Sequence, residues 1–209
     1  MRQADRTVAA GSPRNTRRAV GMLPLALAAA AGFALAATGE TYDLDPVHSR
    51  VGFSIGHLSI STVKGEFTNF TGRIVYKEGE MKSASAESTI RADSIYTAQK
   101  ARDEHVKGED FLSAAAFPQI SFKSQEMAKE GDKWYLVGTL TMHGVSKPVK
   151  LETSITGPIK DPWGMKRIGF QAKTSLNRQD FGVGSKKAVD KAIGDTVAVE
   201  IEAEAVTKE

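Results

Sequence analysis

Residues 49–57 read SRVGFSIGH, and apolar side chains occupy every second position of this stretch. Val51, Phe53 and Ile55 alternate with small or polar residues, which is the period of a β-strand with one buried and one solvated face. His57 has the parity of the apolar residues, so we expect its side chain to point inward. An inward histidine is either a hydrogen-bonded core residue or a group that contacts a ligand. The stretch therefore predicts a half-buried strand and one candidate site residue.

The two-residue period continues through the rest of the chain after residue 40. Together with 49–57, the predicted strands are 41–44, 65–76, 83–91, 119–125, 133–142, 149–155, 168–176 and 197–201. Phe67 and Phe70 are out of phase within a single strand, which predicts a bulge near Asn69. Eight or nine strands joined by short turns favour one all-β domain, in which an antiparallel sheet closes into a barrel or folds as a sandwich.

One segment, residues 93–118, departs from the strand period. It is rich in helix formers, and we expect a helix that is capped at Thr97 and stops at Gly108. A second short turn over 110–116 should end before Pro118, because the residue before a proline disfavours the helical conformation. A helical insertion of this length between two strands is expected to lie over one end of a barrel.

The first 36 residues have the pattern of a secretory signal peptide. Five arginines and a single acidic residue lead into the uncharged stretch 19–37, in which Ala34-Leu35-Ala36 is a signal-peptidase pattern. A membrane anchor is the alternative, although Pro24 and two glycines weaken such a helix. We therefore expect cleavage after residue 36, periplasmic localisation and one mature domain over 37–209. Arg17-Arg18 leaves twin-arginine export open beside the general secretory route.

Charge and cysteine content exclude several classes of function for this domain. The whole chain has a formal net charge of +3, but five of its 28 basic residues and one of its 25 acidic residues precede residue 37. The remaining 23 basic and 24 acidic residues nearly balance, so we expect no nucleic-acid partner. The absence of cysteine from the sequence excludes a disulfide framework, a thiolate nucleophile and a cysteine-bound metal.

The sequence contains no clear catalytic or metal-binding pattern. Asp103 and His105 are two positions apart on the expected helix, about 200° around its axis, and cannot form a dyad. No two histidines have the spacing of a helical zinc site, and neither a nucleophile elbow nor a P-loop occurs. The stretch 182–187, with Lys186 and Lys187, is a candidate phosphate-binding loop, although such stretches are more commonly solvated loops. We expect no metal, no cofactor and no enzymatic activity.

The period alone does not decide whether a barrel would be hollow. Small side chains dominate one face of the strand near residue 88, which would leave space inside; they are Ala84, Ala86, Ser88 and Ala92, accompanied by Ile90. Eight strands enclose either a packed core or a pocket for one small ligand, as in lipocalins.

Longer motifs recur in order along the domain. The most specific is GTLTMHGVSKPV at 138–149, and the others include DPVHS at 45–49, VGFSIGHL at 51–58, RDEHV at 102–106, FPQISFKS at 117–124 and DPWG at 161–164. Over residues 41–206 the sequence resembles the YceI family of secreted, lipocalin-like, polyisoprenoid-binding proteins. The resemblance implies a single eight-stranded antiparallel barrel with a helical insertion around an elongated apolar tunnel. It further implies a long-chain isoprenoid or similar amphiphile as ligand, such as a quinone or a polyprenyl phosphate.

On this basis we expect the domain to bind, sequester or transport such a lipid without catalysis, with transient membrane contact. Strand parity supplies apolar contacts for the tail, and polar groups at one end would meet the headgroup. The candidate ligand-binding residues are Phe53, Ile55, His57, Ala86, Ile90, Arg102, His105, Phe122, Leu136, Leu140, Phe170 and Leu176. One alternative is a stress-related scaffold with a filled core and a protein partner. The other is an enzyme that acts on an isoprenoid lipid with His57 or His105 as acid–base. The oligomeric state stays open, a homodimer included.

Overall fold

Ten antiparallel strands and one α-helix form the part of the chain that the computed structural model describes, residues 39–185 and 192–207. The strands are β1 Glu40–His57, β2 Ser61–Phe67, β3 Phe70–Tyr76, β4 Ser85–Arg91, β5 Ile95–Tyr96, β6 Gln119–Glu130, β7 Lys133–Met142, β8 Val145–Lys160, β9 Lys166–Asn177 and β10 Ile193–Thr207. The helix α1 spans Lys100–Lys107. The predicted signal peptide over 1–36, together with Lys186 and Lys187, lies outside the described residues. No helix of the described part is long and apolar enough to cross a membrane.

Eight of these strands close into a barrel, which confirms the predicted fold. Their order around the barrel is β10, β9, β8, β7, β6, β4, β3 and β1, and β1 pairs with β10 to complete the ring. Every pairing is antiparallel. Closure leaves these eight strands without an open sheet edge over their paired lengths, so the backbone groups of the wall are satisfied by neighbouring strands.

The strand β1 changes partner half way along its length. Its first part, from Glu40 to Asp43, pairs with β3, whereas Val51–His57 pairs with β2. The prediction of one bulged strand over 65–76 is therefore wrong. Phe67 and Phe70 are out of phase because they belong to different strands, and the chain crosses between them through two residues outside either strand.

Two clusters of buried side chains lie toward the two ends of the barrel. We call the end at which β1 begins and β10 finishes the closed end, because a cluster of buried residues fills it, among them Tyr42, Ile74, Leu136, Ile168 and Ala205. At the opposite end, here the helix end, a second cluster includes Ala92, Ile95, Leu112, Ile120 and Phe181, with Val106 and Phe111 of the helical segment packed against it. The insertion therefore covers one end of the barrel, as expected from its length.

The start of α1 differs from the prediction. Its N-cap is Gln99, whose side chain accepts a hydrogen bond from the Arg102 backbone N–H at 2.7 Å. Thr97 is not the cap, because Ala98 has a positive φ of 60° and turns the chain before the helix begins. The hydroxyl of Thr97 instead donates to the carboxylate of Asp103. The helix ends at Gly108 as predicted, and residues 110–116 form turns.

Candidate functional site

A cavity of about 510 Å³ lies inside the barrel between the two core clusters. Its wall is almost entirely apolar. The volume falls within the roughly 300–1,000 Å³ that is typical of sites for small organic ligands. The barrel is therefore hollow, which decides the question that strand periodicity left open.

All twelve residues that were predicted to bind the ligand line this cavity. They are Phe53, Ile55, His57, Ala86, Ile90, Arg102, His105, Phe122, Leu136, Leu140, Phe170 and Leu176. The structure thus brings together residues from five strands and the helix. Their contact with a ligand stays a prediction.

Strand alternation explains how the wall becomes apolar. On β1, Val51, Phe53, Ile55 and His57 all line the cavity, and they are separated by residues of the opposite parity. Alternate residues of a barrel strand face the interior. At about 3.3–3.4 Å per residue, the six steps from Val51 to His57 extend the lined surface by about 20 Å. The cavity is therefore elongated along the strands.

Small residues keep the cavity open, although not at every predicted position. Ala86 and Ser88 of β4 line the cavity, whereas Ala84 and Ala92 lie outside β4 and are buried in the closed-end and helix-end clusters. Gly65 makes a further contribution, since a β-carbon at this position would lie 2.5 Å from the ring of Phe53. The absence of a side chain at Gly65 allows that ring to lie against the wall instead of across the cavity.

The polar end of the cavity is built around Arg102 of α1. Its Nε donates to the hydroxyl of Thr97 at 2.8 Å, and its Nη2 donates to the carbonyl oxygen of Thr97 at 2.7 Å. The carboxylate of Asp103 in turn accepts from the backbone N–H of Thr97 at 2.8 Å. These contacts leave Nη1 without a hydrogen-bond partner among the described residues, so Arg102 is both fixed in place and able to donate to a ligand.

Two histidines complete this polar end. His57 lies at the end of β1, and His105 lies one helical turn beyond Arg102. His105 Nε2 is 3.8 Å from a carboxylate oxygen of Asp110, and its ring meets the edge of Phe111 with centroids 5.0 Å apart. The predicted separation of Asp103 and His105 holds, because their side chains have different partners. We call the opening bordered by His57, Arg102 and His105 the mouth.

A buried arginine near the mouth was not predicted. Arg178 lines the cavity but is only 2% exposed, because its guanidinium donates to the carbonyl oxygens of Val183, Gly184 and Gly194. It also pairs with Asp195 at 2.9 Å. The surrounding sequence, NRQDFG, is polar and reads as a surface loop, so its pattern contains no signal of burial. Arg178 therefore joins the end of β9 to the start of β10.

A charged cluster at Asp45, His48 and Glu204 has ligand atoms within 4.8 Å of one another. The guanidinium of Arg167 occupies the position between the two carboxylates, 2.8 Å from Asp45 and 2.9 Å from Glu204. Hydrogen bonds from Arg167 and then from His48 lower the pKa of Asp45 to about 2. A resident cation therefore already occupies the position between the carboxylates, and the cluster is better described as an ion-pair network than as a metal site.

Comparison with known proteins places this geometry in a family. Residues 42–205 match the model of the YceI-like domain. A UPF0312 protein of Yersinia pestis is 37% identical over 158 residues, which cover 76% of this chain and 82% of the relative. The crystal structure of the Campylobacter jejuni YceI protein is 32% identical, with a TM-score of 0.65, over 74% of this chain and 91% of that one.

A more distant structure shares the fold alone. It is a polyisoprenoid-binding domain from Saccharophagus degradans that is implicated in plant cell wall breakdown, with 16% identity and a TM-score of 0.62 over 80% of this chain and 98% of that one. The match over residues 42–205 and the identity to the Yersinia protein confirm the resemblance seen in the sequence. The chain belongs to the YceI-like family.

Proposed function

We propose that the protein binds a long-chain isoprenoid lipid inside the barrel and sequesters or carries it without chemical change. The observation that carries this proposal is the elongated apolar cavity with polar groups at one end. The polyisoprenoid binding of the Saccharophagus domain supports the same class of ligand.

The length of the cavity fits a short prenyl tail. An extended polypeptide advances about 3.3–3.6 Å for its three backbone bonds, so an extended isoprene unit with four bonds advances about 4.5 Å. The lined length of about 20 Å along β1 then accommodates about four extended units. A longer tail would have to fold back or leave its end at the mouth.

The polar groups at the mouth suit a headgroup that accepts hydrogen bonds. The free Nη1 of Arg102 can donate to a phosphate oxygen or to a quinone carbonyl, and charge-assisted bonds of this kind are stronger than neutral ones. His57 and His105 border the same opening. The headgroup would therefore bind at the mouth while the tail enters the barrel.

Energetics favour a carrier over a permanent store. Burial of apolar chain is worth about 0.8 kcal/mol per CH₂ relative to water. The tail of a membrane lipid is already out of water, so its transfer into the cavity exchanges one apolar environment for another. The free energy of transfer of the lipid from a membrane into the cavity is then small, so binding of the lipid is reversible.

A binding role is also favoured over catalysis by the arrangement of the mouth. Among the described residues, His57, Arg102 and His105 make no hydrogen bond to one another. A nucleophile or acid–base pair requires two groups that converge on one reacting atom.

The protein would act in the periplasm, where residues 1–36 would direct it.

Mass spectrometry of lipid extracted from the protein tests this function. The full-length gene is expressed and the protein is purified without detergent from the periplasmic fraction. We expect about one isoprenoid molecule per protein. Protein that is empty on isolation, and stays empty after incubation with geranylgeranyl phosphate and with menaquinone bearing four prenyl units, would contradict the proposal. Recovery of the protein only from the cytoplasm would contradict the location.

A further inference from the structure

The turn between β1 and β2 exposes two large aliphatic side chains at the helix end of the barrel. We call residues 58–60 the hairpin tip. Ile60 is 84% exposed and Leu58 is 54% exposed. The whole stretch 57–63, HLSISTV, contains no aspartate, glutamate, lysine or arginine, although a quarter of the chain is charged. Exposed aliphatic groups without charged neighbours in sequence are unusual on a solvated turn.

The backbone of the hairpin tip adds a second observation. Leu58 and Ser59 have φ values of 51° and 57°, in the left-handed region. Hairpin turns of this kind favour asparagine or glycine, and a leucine there costs conformational energy. The strain is maintained by local contacts, since the Leu58 N–H donates to the carbonyl oxygen of Ala192 at 2.8 Å. Such strain is more common at functional positions than elsewhere.

The hairpin tip adjoins the mouth of the cavity. His57 and Val63, which flank the tip on β1 and β2, both line the cavity. Ala192, which accepts the hydrogen bond from Leu58, lines it as well. A surface that covers the tip would therefore face the opening through which a ligand enters.

We propose that the hairpin tip inserts into a lipid bilayer and docks the mouth against it. This inference rests on the proposed lipid-carrying function, because a prenyl lipid has to be drawn from a membrane. A convex turn with two exposed aliphatic side chains is much smaller than the roughly 800 Å² per partner of a stable protein interface. Shallow burial of aliphatic side chains below lipid headgroups needs no such area.

The helix α1 has two exposed cations at the helix end of the barrel. These cations are Lys100 and Arg102, whereas Lys107 is partly buried and Asp103 is buried against Thr97. Lys107 pairs with Glu104 at 3.0 Å, which leaves the helix with a solvent-facing excess of positive charge. Cationic side chains at the same end of the barrel as an inserted apolar group add attraction to anionic phospholipids.

Uptake of menaquinone bearing four prenyl units from vesicles tests the docking. The vesicles contain three parts phosphatidylethanolamine and one part phosphatidylglycerol, and protein-bound quinone is measured after the vesicles are sedimented. In parallel, the same quinone is supplied as a cyclodextrin complex, which requires no membrane. We expect Ile60→Glu to slow vesicle uptake about tenfold or more, since it places a charge where an aliphatic side chain would enter the bilayer. Uptake from cyclodextrin should be unchanged.

Two further variants make the result specific. Ile159→Glu alters an apolar residue that is 63% exposed at the closed end, and it should behave as the wild type with both sources. Leu58→Asn replaces the leucine by a residue that tolerates a positive φ. It should raise the melting temperature and still slow vesicle uptake, which separates docking from folding.

The outcomes distinguish the docking from the lipid-carrying function. Wild-type protein that takes up quinone from neither source overturns the proposed function, and the docking with it. Wild-type uptake from both sources together with normal vesicle uptake by Ile60→Glu overturns the docking alone. The docking is also overturned if Ile60→Glu reduces quinone uptake equally from vesicles and from cyclodextrin. A reduced vesicle uptake by Ile159→Glu would overturn it as well.

Discussion

A single small side chain on β4 keeps part of the cavity open. Ala86 faces the interior and is followed on the same face by Ser88. We expect Ala86→Phe to fold, because the added ring enters existing space, and to reduce bound isoprenoid severalfold. The lipid content is measured by extraction and mass spectrometry, and folding by circular dichroism.

Thr89 supplies the matched control for that change. It lies three positions along the same strand, has the opposite parity and does not line the cavity. Thr89→Phe should retain the full lipid content. A folded Ala86→Phe protein with unchanged occupancy would show that the lipid binds elsewhere.

The guanidinium of Arg102 provides a test of headgroup binding. If its free Nη1 meets the headgroup, Arg102→Gln should weaken binding of geranylgeranyl phosphate by about tenfold or more, the usual size of a lost charge-assisted hydrogen bond. Binding of geranylgeraniol, which lacks the phosphate, should change less. Both affinities are measured by isothermal titration calorimetry.

Lys100→Gln is the control on the same helix, because Lys100 is exposed and does not line the cavity. It removes the same charge and should affect both lipids little. An equal loss for the phosphate and the alcohol in Arg102→Gln would indicate that Arg102 positions Thr97 without touching the headgroup.

At the scale of elements, the link between β1 and β9 makes stability depend on pH. The Asp45 carboxylate of β1 bonds to Arg167 of β9, and its pKa is lowered to about 2. A lowered carboxyl pKa stabilises the fold above the unfolded value near 3.9, and this contribution is lost as the pH falls through the folded value of about 2. We expect Asp45→Asn to cost about 1–2 kcal/mol at pH 7, and less as the pH falls from 4 to 2.

The measurement is thermal unfolding of the wild type and the variant across that pH range. Asp132→Asn, in the turn between β6 and β7, removes a carboxylate that makes no ion pair within the described residues. It should leave the pH profile unchanged. A constant difference between Asp45→Asn and the wild type from pH 7 to pH 2 would contradict the assignment.

Sequence periodicity correctly predicted those strands that are determined by residues close together in the chain. Residues 133–142 were predicted as a strand and form β7 with the same bounds. Residues 65–76 were predicted as one strand, whereas they belong to two strands, β2 and β3, which pair with different parts of β1. Parity within the segment does not reveal this change of partner, because pairing depends on residues distant in sequence. The helix cap was misplaced for a similar reason, since the Thr97 hydroxyl is held by Asp103 and Arg102.

At the scale of the whole molecule, the interior of the barrel was partly predictable. Strand parity identified ten residues that line the cavity, and Arg102 and His105 of the predicted helix line it as well. It gave no information on Arg178, because the partners of this buried side chain are mainly backbone carbonyl groups, which every sequence supplies. It also left open whether the barrel was hollow, because the volume of a cavity is a small difference between the space enclosed and the side chains that fill it.

The plug of buried side chains at the closed end has a kinetic consequence. Tyr42, Leu136 and Ile168 fill that end, so a bound lipid would enter and leave through the mouth. A second lipid could bind only after the first had dissociated, so each cycle of loading and release would transfer one lipid molecule. If the protein is the carrier proposed above, the rate of transport per molecule is then limited by the slower of lipid release and the return to the donor membrane.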